Sequence, residues 1–275
     1  MAASSILQKA YAGKWALVTG ASAGIGDALA VELAAAGANL ILTARRADRL
    51  DALSTRLKAE YKIQTMVVRD DLADPAAPQR IYAATEGKGI AVDILVNNAG
   101  FGYYGEFAAG DLAFQRTMVD VNCAAVVDLT HLFLPRMIER RRGDIMIVAS
   151  TAAYQPVAYM ATYAATKVFD RYFAEALAEE VSRHGVRVSA LCPGPTESEF
   201  GQVAGVRMGE NRKFQSAQEV ARLGLEGMAN GKTWVIPYAG GRIQVFMQRL
   251  VPRRMVTGAA ERMFRPESVK SALKK

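Results

Sequence analysis

A tyrosine and a lysine four residues apart, Tyr163 and Lys167, form the first pair in this sequence whose types and spacing could do chemistry. At this spacing on a helix, two side chains lie on the same face. An ammonium beside a phenol stabilises the phenolate, which lowers the tyrosine pKa from its usual value of about 10. Such a phenol can act as a general acid or base. The pair predicts proton transfer, although helix-face packing alone would give the same spacing.

Two further polar residues, Ser150 and Asn122, belong to the same hypothesis. Ser150 follows a predicted strand 13 residues before Tyr163, and Asn122 lies in a long predicted helical region after another strand. In a parallel sheet covered by helices, the loops at the carboxyl ends of the strands border one crevice. We therefore predict that Asn122, Ser150, Tyr163 and Lys167 form a catalytic set.

A glycine-rich loop between a predicted strand and a predicted helix indicates a dinucleotide site. Residues 19–26 read TGASAGIG. Glycines let the backbone approach a pyrophosphate, and the N-terminus of the following helix offers free N–H groups to it. A purely structural tight turn is the alternative. The predicted cofactor-binding residues of this loop are Gly20, Ser22, Ala23, Gly24, Ile25 and Gly26.

Two arginines at the end of the second predicted strand indicate which dinucleotide binds. An acid at this place would bind the ribose hydroxyl of NAD(H), but the sequence has Arg45 and Arg46 instead. A guanidinium suits a 2′-phosphate, so NADP(H) is favoured. Arg45 is the stronger candidate, because Arg46 could be a solvated residue at a helix start. Asp71, after the third strand, could accept from the adenine amino group, and Asp70 is read as its less favoured alternative.

Short apolar runs alternate with helical segments along most of the chain. The predicted strands are 14–19, 39–43, 64–69, 92–96, 143–149, 186–192 and 233–237. The predicted helices are 24–37, 48–62, 75–86, 111–140 and 158–184, with a bend or break at Pro135. This alternation predicts an α/β fold with a doubly wound, seven-stranded parallel sheet of Rossmann type.

The motifs as a set resemble the short-chain dehydrogenase/reductase superfamily. The matching elements are TGASAGIG, the NNAG of residues 97–100, Asn122, Ser150, the Tyr163/Lys167 pair and the turn at residues 193–194. The resemblance implies a single catalytic domain over residues 1–239, with residues 240–275 as a basic, helical C-terminal extension. It also implies NADP(H) as cofactor and a homodimer or homotetramer as the assembly.

The resemblance further implies a role for each matching residue. Tyr163 would protonate a carbonyl oxygen, and Lys167 would lower the tyrosine pKa and hold the nicotinamide ribose. Ser150 would orient the carbonyl, and Asn122 would hold a water that relays protons. The other implied cofactor contacts are Leu72, Asn98, Ala99, Gly100, Pro193, Gly194 and Thr196. The family often has threonine five residues after the proline, where this chain has Ser198.

We therefore predict NADPH-dependent reduction of a hydrophobic carbonyl to an alcohol, or the reverse. The alternatives are a 3-ketoacyl reductase acting on a carrier-linked chain and a catalytically inactive NADP(H)-binding sensor or scaffold. The predicted substrate pocket contains Phe101, Tyr103, Tyr104, Tyr154, Pro156, Tyr159, Phe200 and Met208. The segment 200–217 is predicted to form a mobile lid.

Composition and charge limit the remaining possibilities. With two histidines and two cysteines, Cys123 and Cys192, neither a histidine-rich metal site nor a disulfide framework is expected. We interpret both cysteines as buried and reduced. No signal peptide and no spanning run of about 18 apolar residues is recognised, so the cytoplasm is the expected location. The net charge of +7 falls within residues 240–275, where a solvated face is the favoured interpretation, and no nucleic-acid-binding motif accompanies it. The apolar residues among these arginines predict a C-terminal helix that closes the pocket; a dimer contact and weak contact with a membrane surface are the alternatives, in that order.

Overall fold

The computed structural model describes residues 4–205, 214–238, 240–248, 250–266 and 269. Its centre is a seven-stranded sheet in the order β3-β2-β1-β4-β5-β6-β7, with every described pair of neighbours parallel. The strands are β1 Trp15–Thr19, β2 Asn39–Thr43, β3 Thr65–Val67, β4 Val92–Asn97, β5 Gly143–Val148, β6 Val186–Leu191 and β7 Trp234–Val235. This sheet confirms the predicted fold class. The strand order reverses between β1 and β4, which opens a crevice at the carboxyl ends of the strands.

Eleven α-helices surround the sheet in the described part of the chain. They are α1 Ser5–Tyr11, α2 Gly24–Ala35, α3 Ala47–Tyr61, α4 Ala77–Ala84, α5 Leu112–Val119, α6 Ala125–Glu139, α7 Ala161–Val181, α8 Phe200–Ala204, α9 Ala217–Ala229, α10 Gly241–Gln248 and α11 Arg253–Phe264. Helices α1, α2, α3 and α9 share one buried cluster with the sheet, whereas α4, α6 and α7 share the other. Leu17 and Val18, successive residues of β1, enter opposite clusters. Burial on both faces explains why the strands are continuous apolar runs.

The long predicted helix 111–140 differs from the observed structure in two ways. A π-helical turn, Asp120–Ala124, separates α5 from α6, and α6 continues through Pro135. The predicted break at Pro135 is therefore wrong. The residues on either side of Pro135, Phe133 and Met137, are fully buried in the core beneath α6, and this packing offsets the loss of one backbone hydrogen bond.

The helical stretch Leu112–Glu139 also bears on the search for spanning segments. It has 28 residues and a mean hydropathy of 1.3 in its most apolar window, so it is long and apolar enough to cross a membrane. This corrects the expectation that no such stretch exists. The buried side chains of α6, such as Leu129, pack with the sheet residues in one core cluster. Core packing therefore accounts for part of the apolar character of this stretch.

Several elements were not predicted from the sequence. Helix α9 packs beside α2, and α1 packs on both, with the Tyr11 hydroxyl donating to the Leu225 carbonyl at 3.2 Å. Within the hypothetical lid, the described residues form α8 and a bridge between Thr196 and Gln215, and residues 206–213 lie outside the described part. The C-terminal segment forms α10 and α11 and returns to the crevice.

Candidate active site

A cleft of about 940 Å³ lies at the carboxyl ends of the strands. Its walls come from the loops after β1, β2, β3, β4, β5 and β6, together with parts of α5, α7, α8, α10 and α11. The sheet therefore gathers into one cavity residues that lie far apart in the chain. The described residues contain no cluster of side chains that could bind a metal ion.

The glycine loop leaves no space for side chains. A Cβ atom on Gly26 would lie 2.3 Å from the Gly20 carbonyl oxygen, and one on Gly20, whose φ is +66°, would lie 2.9 Å from the Ala99 Cα atom. Helix α2 begins at Gly24, and its N-cap residue, Ala23, makes no side-chain cap. The first N–H groups of α2 are therefore directed to the cleft without a capping side chain, as an anion-binding site requires.

Side-chain hydrogen bonds tie the glycine loop to the loop after β4. The backbone N–H groups of Asn98 and Ala99 donate to the Thr19 hydroxyl at 2.9 and 3.0 Å. The Asn98 amide in turn donates to the Thr19 carbonyl at 2.8 Å. The structure thus brings the predicted residues of both loops, with Gly100, into one cleft wall.

The two arginines after β2 differ in how firmly they are held. The Arg46 guanidinium donates to the Ser22 hydroxyl at 3.0 and 3.1 Å and to the Glu199 carboxylate at 2.7 Å. The Arg45 side chain is 74% exposed and lies 3.9 Å from the Asp71 carboxylate. Both line the cleft, but the geometry favours Arg46 as the residue that faces a phosphate beside the glycine loop, contrary to the ranking from the sequence.

The acids after β3 also differ. Asp70 is held by the Arg80 guanidinium at 2.6 Å, which makes it part of an ion pair. Asp71 accepts from the Ala73 N–H at 3.1 Å and retains its position at the cleft wall next to Leu72. The preference for Asp71 over Asp70 as a cofactor contact agrees with this arrangement.

The predicted catalytic pair occupies the middle of the cleft. The Lys167 ammonium lies 6.0 Å from the centre of the Tyr163 ring and donates to the Val148 carbonyl at 2.8 Å and to the Asp170 carboxylate at 2.9 Å. Ser150, two residues after β5, accepts from the Ala152 N–H at 3.1 Å and lies close enough to the Tyr163 hydroxyl to lower its pKa. The structure therefore places Ser150, Tyr163 and Lys167 together, as predicted.

The pKa of Tyr163 shifts in the direction opposite to the one predicted. Burial of the hydroxyl among protein atoms raises this pKa, and it outweighs the nearby Lys167 ammonium and the Ser150 hydrogen bond, which both lower it. Burial acts to lower the pKa of Lys167, but the negative charges of Asp170 and of the Tyr163 phenolate outweigh this effect, so the pKa of Lys167 is raised overall. The ion pair with Asp170 thus favours the charged form of Lys167, and burial favours the protonated form of Tyr163.

Asn122 lies behind the cleft wall. Its side chain is fully buried in the π-helical turn, where its oxygen accepts from the Phe101 N–H and its amide donates to the Phe101 carbonyl and the Thr166 hydroxyl. These bonds use the amide to join the loop after β4 to α7. Contact with a relay water would therefore fall to the backbone of the turn, whose widened spacing is common at functional sites.

The loop after β6 completes the cofactor side of the cleft. The Pro193 carbonyl accepts from the Thr151 N–H at 2.8 Å, and the Thr196 hydroxyl donates to the Gly194 carbonyl at 2.9 Å. Ser198 accepts from the Phe200 N–H at 3.3 Å. The turn from β6 into α8 therefore contains the residues that the resemblance indicated: Pro193, Gly194, Thr196 and Ser198.

The inner end of the cleft is apolar, but only partly as predicted. Of the eight predicted pocket residues, Phe101 and Phe200 line it, whereas Tyr103 and Tyr159 line a separate small cavity. Tyr104, Tyr154 and Pro156 do not line the cleft, and Met208 lies outside the described residues. The sequence reasoning missed apolar lining residues from five elements: Phe114, Val157, Met160, Phe214, Val245 and Phe264.

The C-terminal extension closes one side of this apolar end. The Gln248 amide on α10 donates to Gln155 at 2.7 Å, and the Tyr159 hydroxyl donates to Glu261 on α11 at 2.9 Å. Val245, Gln248 and Phe264 line the cleft, in agreement with the first-ranked expectation that a C-terminal helix closes the pocket.

The two cysteines are both free. Cys192 is buried, as interpreted from the sequence, but Cys123 is only half-buried. Burial raises the pKa of each thiol to about 12, so both are poor nucleophiles at neutral pH.

Known proteins resemble this chain in sequence and in fold. Residues 14–207 match the family described as short chain dehydrogenase. The chain is 30% identical over 233 residues to the very-long-chain 3-oxoacyl-CoA reductase-B of Danio rerio, covering 82% of this chain and 74% of that one. It is 36% identical over 185 residues to the very-long-chain 3-oxoacyl-CoA reductase of Homo sapiens, covering 66% and 59%.

A solved structure gives the same result. The short-chain dehydrogenase from Sphingobium yanoikuyae in complex with NADPH superimposes with a TM-score of 0.79 at 28% identity, over 86% of this chain and 93% of that one. The fold and site thus define an oxidoreductase class. The chain belongs to the short chain dehydrogenase family, which confirms the resemblance and the enzyme assignment.

Proposed function

We propose that this protein reduces the ketone of a large apolar substrate to an alcohol with NADPH. The observation that carries the proposal is the position of Tyr163 and Ser150 in a cleft that has a glycine loop at one end and apolar side chains at the other. The protonated phenol of Tyr163 is the form that can deliver a proton to a carbonyl oxygen, and burial favours that form.

The residues present fit NADP(H). The N-terminus of α2 has no side-chain cap, the close packing at Gly20 and Gly26 admits no side chain, and Arg46 is already held beside Ser22. The glycine loop would hold the pyrophosphate, Arg46 and Arg45 the 2′-phosphate, and Lys167 the nicotinamide ribose. When bound, the cofactor supplies the hydride.

The protein residues would then handle the proton and the orientation of the carbonyl. Ser150 donates a hydrogen bond to the carbonyl oxygen, and Tyr163 transfers its proton to the same oxygen as negative charge develops there. The Lys167 ammonium stabilises the phenolate that remains. Phe200, whose ring centre lies 5.0 Å from that of Tyr163, adds an apolar wall to the cleft beside the phenol.

The experiment is to follow NADPH oxidation with a panel of simple ketones, sterol ketones and long-chain 3-oxoacyl thioesters. Tyr163→Phe should lower kcat by about 10²–10⁴-fold, the usual contribution of a general acid, and leave NADPH binding intact. Tyr82→Phe, which removes a hydroxyl outside the cleft, should retain full activity. Equal activity of Tyr163→Phe and the native protein would overturn the proposal, and NADPH binding without turnover of any carbonyl would favour the sensor alternative.

The 3-oxoacyl thioester is the second candidate within this panel. Its first support is the sequence identity of 30% and 36% to the two 3-oxoacyl-CoA reductases. Its second is the exposed arginines of α10 and α11, whose charge suits a phosphate-bearing carrier. A kcat/KM at least about tenfold higher for a long-chain 3-oxoacyl thioester than for sterol ketones would select it. The opposite order would select the sterol ketone.

We also propose weak contact of the C-terminal segment with an anionic membrane surface. The supporting observation is a set of exposed apolar side chains: Ile243, Phe246, Met247, Leu250, Val251, Met255 and Met263. Exposed arginines flank them, among them Arg242, Arg253 and Arg254. Apolar residues beside cations are typical of interfacial helices.

A flotation assay with vesicles tests the membrane contact. The protein should float with anionic vesicles and remain behind with neutral ones. Phe246→Glu should abolish flotation, whereas Phe107→Glu, which changes an equally exposed phenylalanine far along the chain, should not. Flotation that is equal for both variants would contradict the proposal.

The proposed assembly is a homodimer or homotetramer formed through α6 and α7. Exposed apolar side chains on these helices, among them Val127, Phe169 and Tyr172, support it. Light scattering should show a mass of two or four chains, and Phe169→Asp should lower it.

The proposed location is the cytoplasm, because both cysteines are free, and a fractionation that recovers the protein from an oxidising compartment would contradict this.

A further inference from the structure

A buried carboxylate lies directly behind the predicted catalytic lysine. Asp170 is on α7, three residues after Lys167, and its side chain is only 1% exposed. One of its oxygens accepts from the Lys167 ammonium at 2.9 Å. Its other oxygen is also buried, and it has no hydrogen-bond partner among the described residues. Because an orphaned carboxylate oxygen is costly in a protein interior, its retention calls for a role.

The ion pair fixes where the ammonium lies. Lys167 donates one hydrogen to Asp170 and a second to the Val148 carbonyl at 2.8 Å. Since an ammonium has three hydrogens, one remains for the cleft that Lys167 lines. The aspartate and the carbonyl together hold the long lysine side chain in one orientation, with its free hydrogen toward the cleft.

The aspartate also changes the electrostatics of the phenol. The Lys167 ammonium favours ionisation of Tyr163, and the Asp170 carboxylate opposes it. The other titratable groups that interact with this pair are the thiols of Cys123 and Cys192, and both remain protonated at neutral pH because burial raises their pKa values to about 12. The carboxylate is therefore the only negative charge in the described surroundings of the pair.

We propose that Asp170 is a positioning residue that anchors the Lys167 ammonium and offsets its charge, so that Tyr163 keeps its proton until a carbonyl substrate takes it. The inference rests on the proposed reduction and refines it. Asp170 touches neither the substrate nor the cofactor, and it acts through Lys167. It favours the protonated form of Tyr163, because an ammonium without this partner would stabilise the phenolate more strongly.

The test is a pH titration of the Tyr163 phenol in the protein without substrate or cofactor. Tyrosine carrying ¹³C at the ζ carbon reports the phenolate by NMR, and Tyr163→Phe assigns the signal. Asp170→Asn should lower the pKa of Tyr163 by about one unit, because a charge is removed while the shape is kept. Asp144→Asn, which changes another buried carboxylate in an ion pair, with Arg187, should leave Tyr163 unchanged.

Kinetics give a second readout. In Asp170→Asn, the decline of ketone reduction at alkaline pH should begin about one unit lower, and alcohol oxidation at neutral pH should rise. An unchanged Tyr163 titration in a folded Asp170→Asn protein would overturn the proposal, whatever the reaction proves to be. If Asp170→Asn does not fold, Asp170→Ser removes the same charge with a smaller side chain. Failure of both to fold while Asp144→Asn folds would also overturn it, because the carboxylate would then serve the fold.

Discussion

Replacement of Arg46 by glutamine tests how this site would distinguish NADPH from NADH. The Arg46 guanidinium is held by Ser22 beside the glycine loop, so it is oriented before any phosphate arrives. In Arg46→Gln the charge is lost, and a 2′-phosphate would have only the more exposed Arg45 as a partner. NADPH should therefore bind more weakly, and NADH, which lacks the phosphate, should not.

The magnitude follows from two opposing contributions. A hydrogen bond to a charged group contributes about 1.5–3 kcal/mol, and the lower end applies because the Arg46 side chain is 40% exposed. Binding also requires Arg46 to give up its exposed ion pair with Glu199, which is worth about 0.2–1 kcal/mol. The net loss is about 0.5–1.3 kcal/mol, which corresponds to an increase of about 2–9-fold in the Kd of NADPH.

Fluorescence titration of NADPH and NADH measures both affinities without a substrate. Arg49→Gln is the matched control, because Arg49 pairs with Glu199 at 2.6 Å but does not line the cleft. Its Kd for NADPH should change by less than about twofold, in keeping with a weak surface ion pair. An equal loss for NADPH and NADH in Arg46→Gln, or no loss for either, would refute the assignment of Arg46 to the phosphate.

Three further predictions follow from individual contacts. Glu199→Gln should bind NADPH a few-fold more tightly, since its carboxylate competes with a phosphate for Arg46, and weaker binding in the same titration would contradict this. Gly26→Ala should lose cofactor binding, because its Cβ atom would lie 2.3 Å from a backbone oxygen. Gly227→Ala, whose Cβ atom would lie 2.3 Å from Val235, should lose about 1–3 kcal/mol of unfolding free energy in urea and keep its cofactor affinity. Loss of cofactor affinity in Gly227→Ala but not in Gly26→Ala would contradict both expectations. Tyr11→Phe should lose about 1 kcal/mol at neutral pH with its hydrogen bond to Leu225. Burial raises the pKa of Tyr11 above its usual value of 10.0, so the folded state keeps a proton that the unfolded state releases, and stability falls as pH rises above 10.0. This fall should be shallower in Tyr11→Phe, and an identical pH slope would contradict the effect of burial.

Local patterns carried much of the fold and the centre of the site. Strands buried on both faces must be apolar throughout, so β2, Asn39–Thr43, was predicted with its observed bounds. The glycine loop was recognisable because its backbone geometry excludes side chains, as Gly26 shows. The spacing of Tyr163 and Lys167 on one helix determined their proximity, since a helix has a fixed pitch.

Other features depended on contacts between segments distant in the chain. Helix α9 was not predicted, although it completes one face of the sheet beside α2, and the pocket residues Val245 and Phe264 reach the cleft only because α10 and α11 fold back. The pKa of Tyr163 rises because burial, which depends on every surrounding element, outweighs the effect of its helical neighbour Lys167.

The sequence by itself determined the seven strands in their order along the chain, the glycine loop and the tyrosine–lysine pair, because each of these follows from residue types that are close together in the chain. Only the tertiary structure decided that Arg46 and not Arg45 is anchored beside the glycine loop, since that depends on Ser22 and Glu199 reaching the same guanidinium. The tertiary structure likewise decided that the Lys167 ammonium forms an ion pair with a buried aspartate. Burial and the balance of charges depend on contacts between segments that are distant in the sequence, so a local sequence pattern cannot predict them.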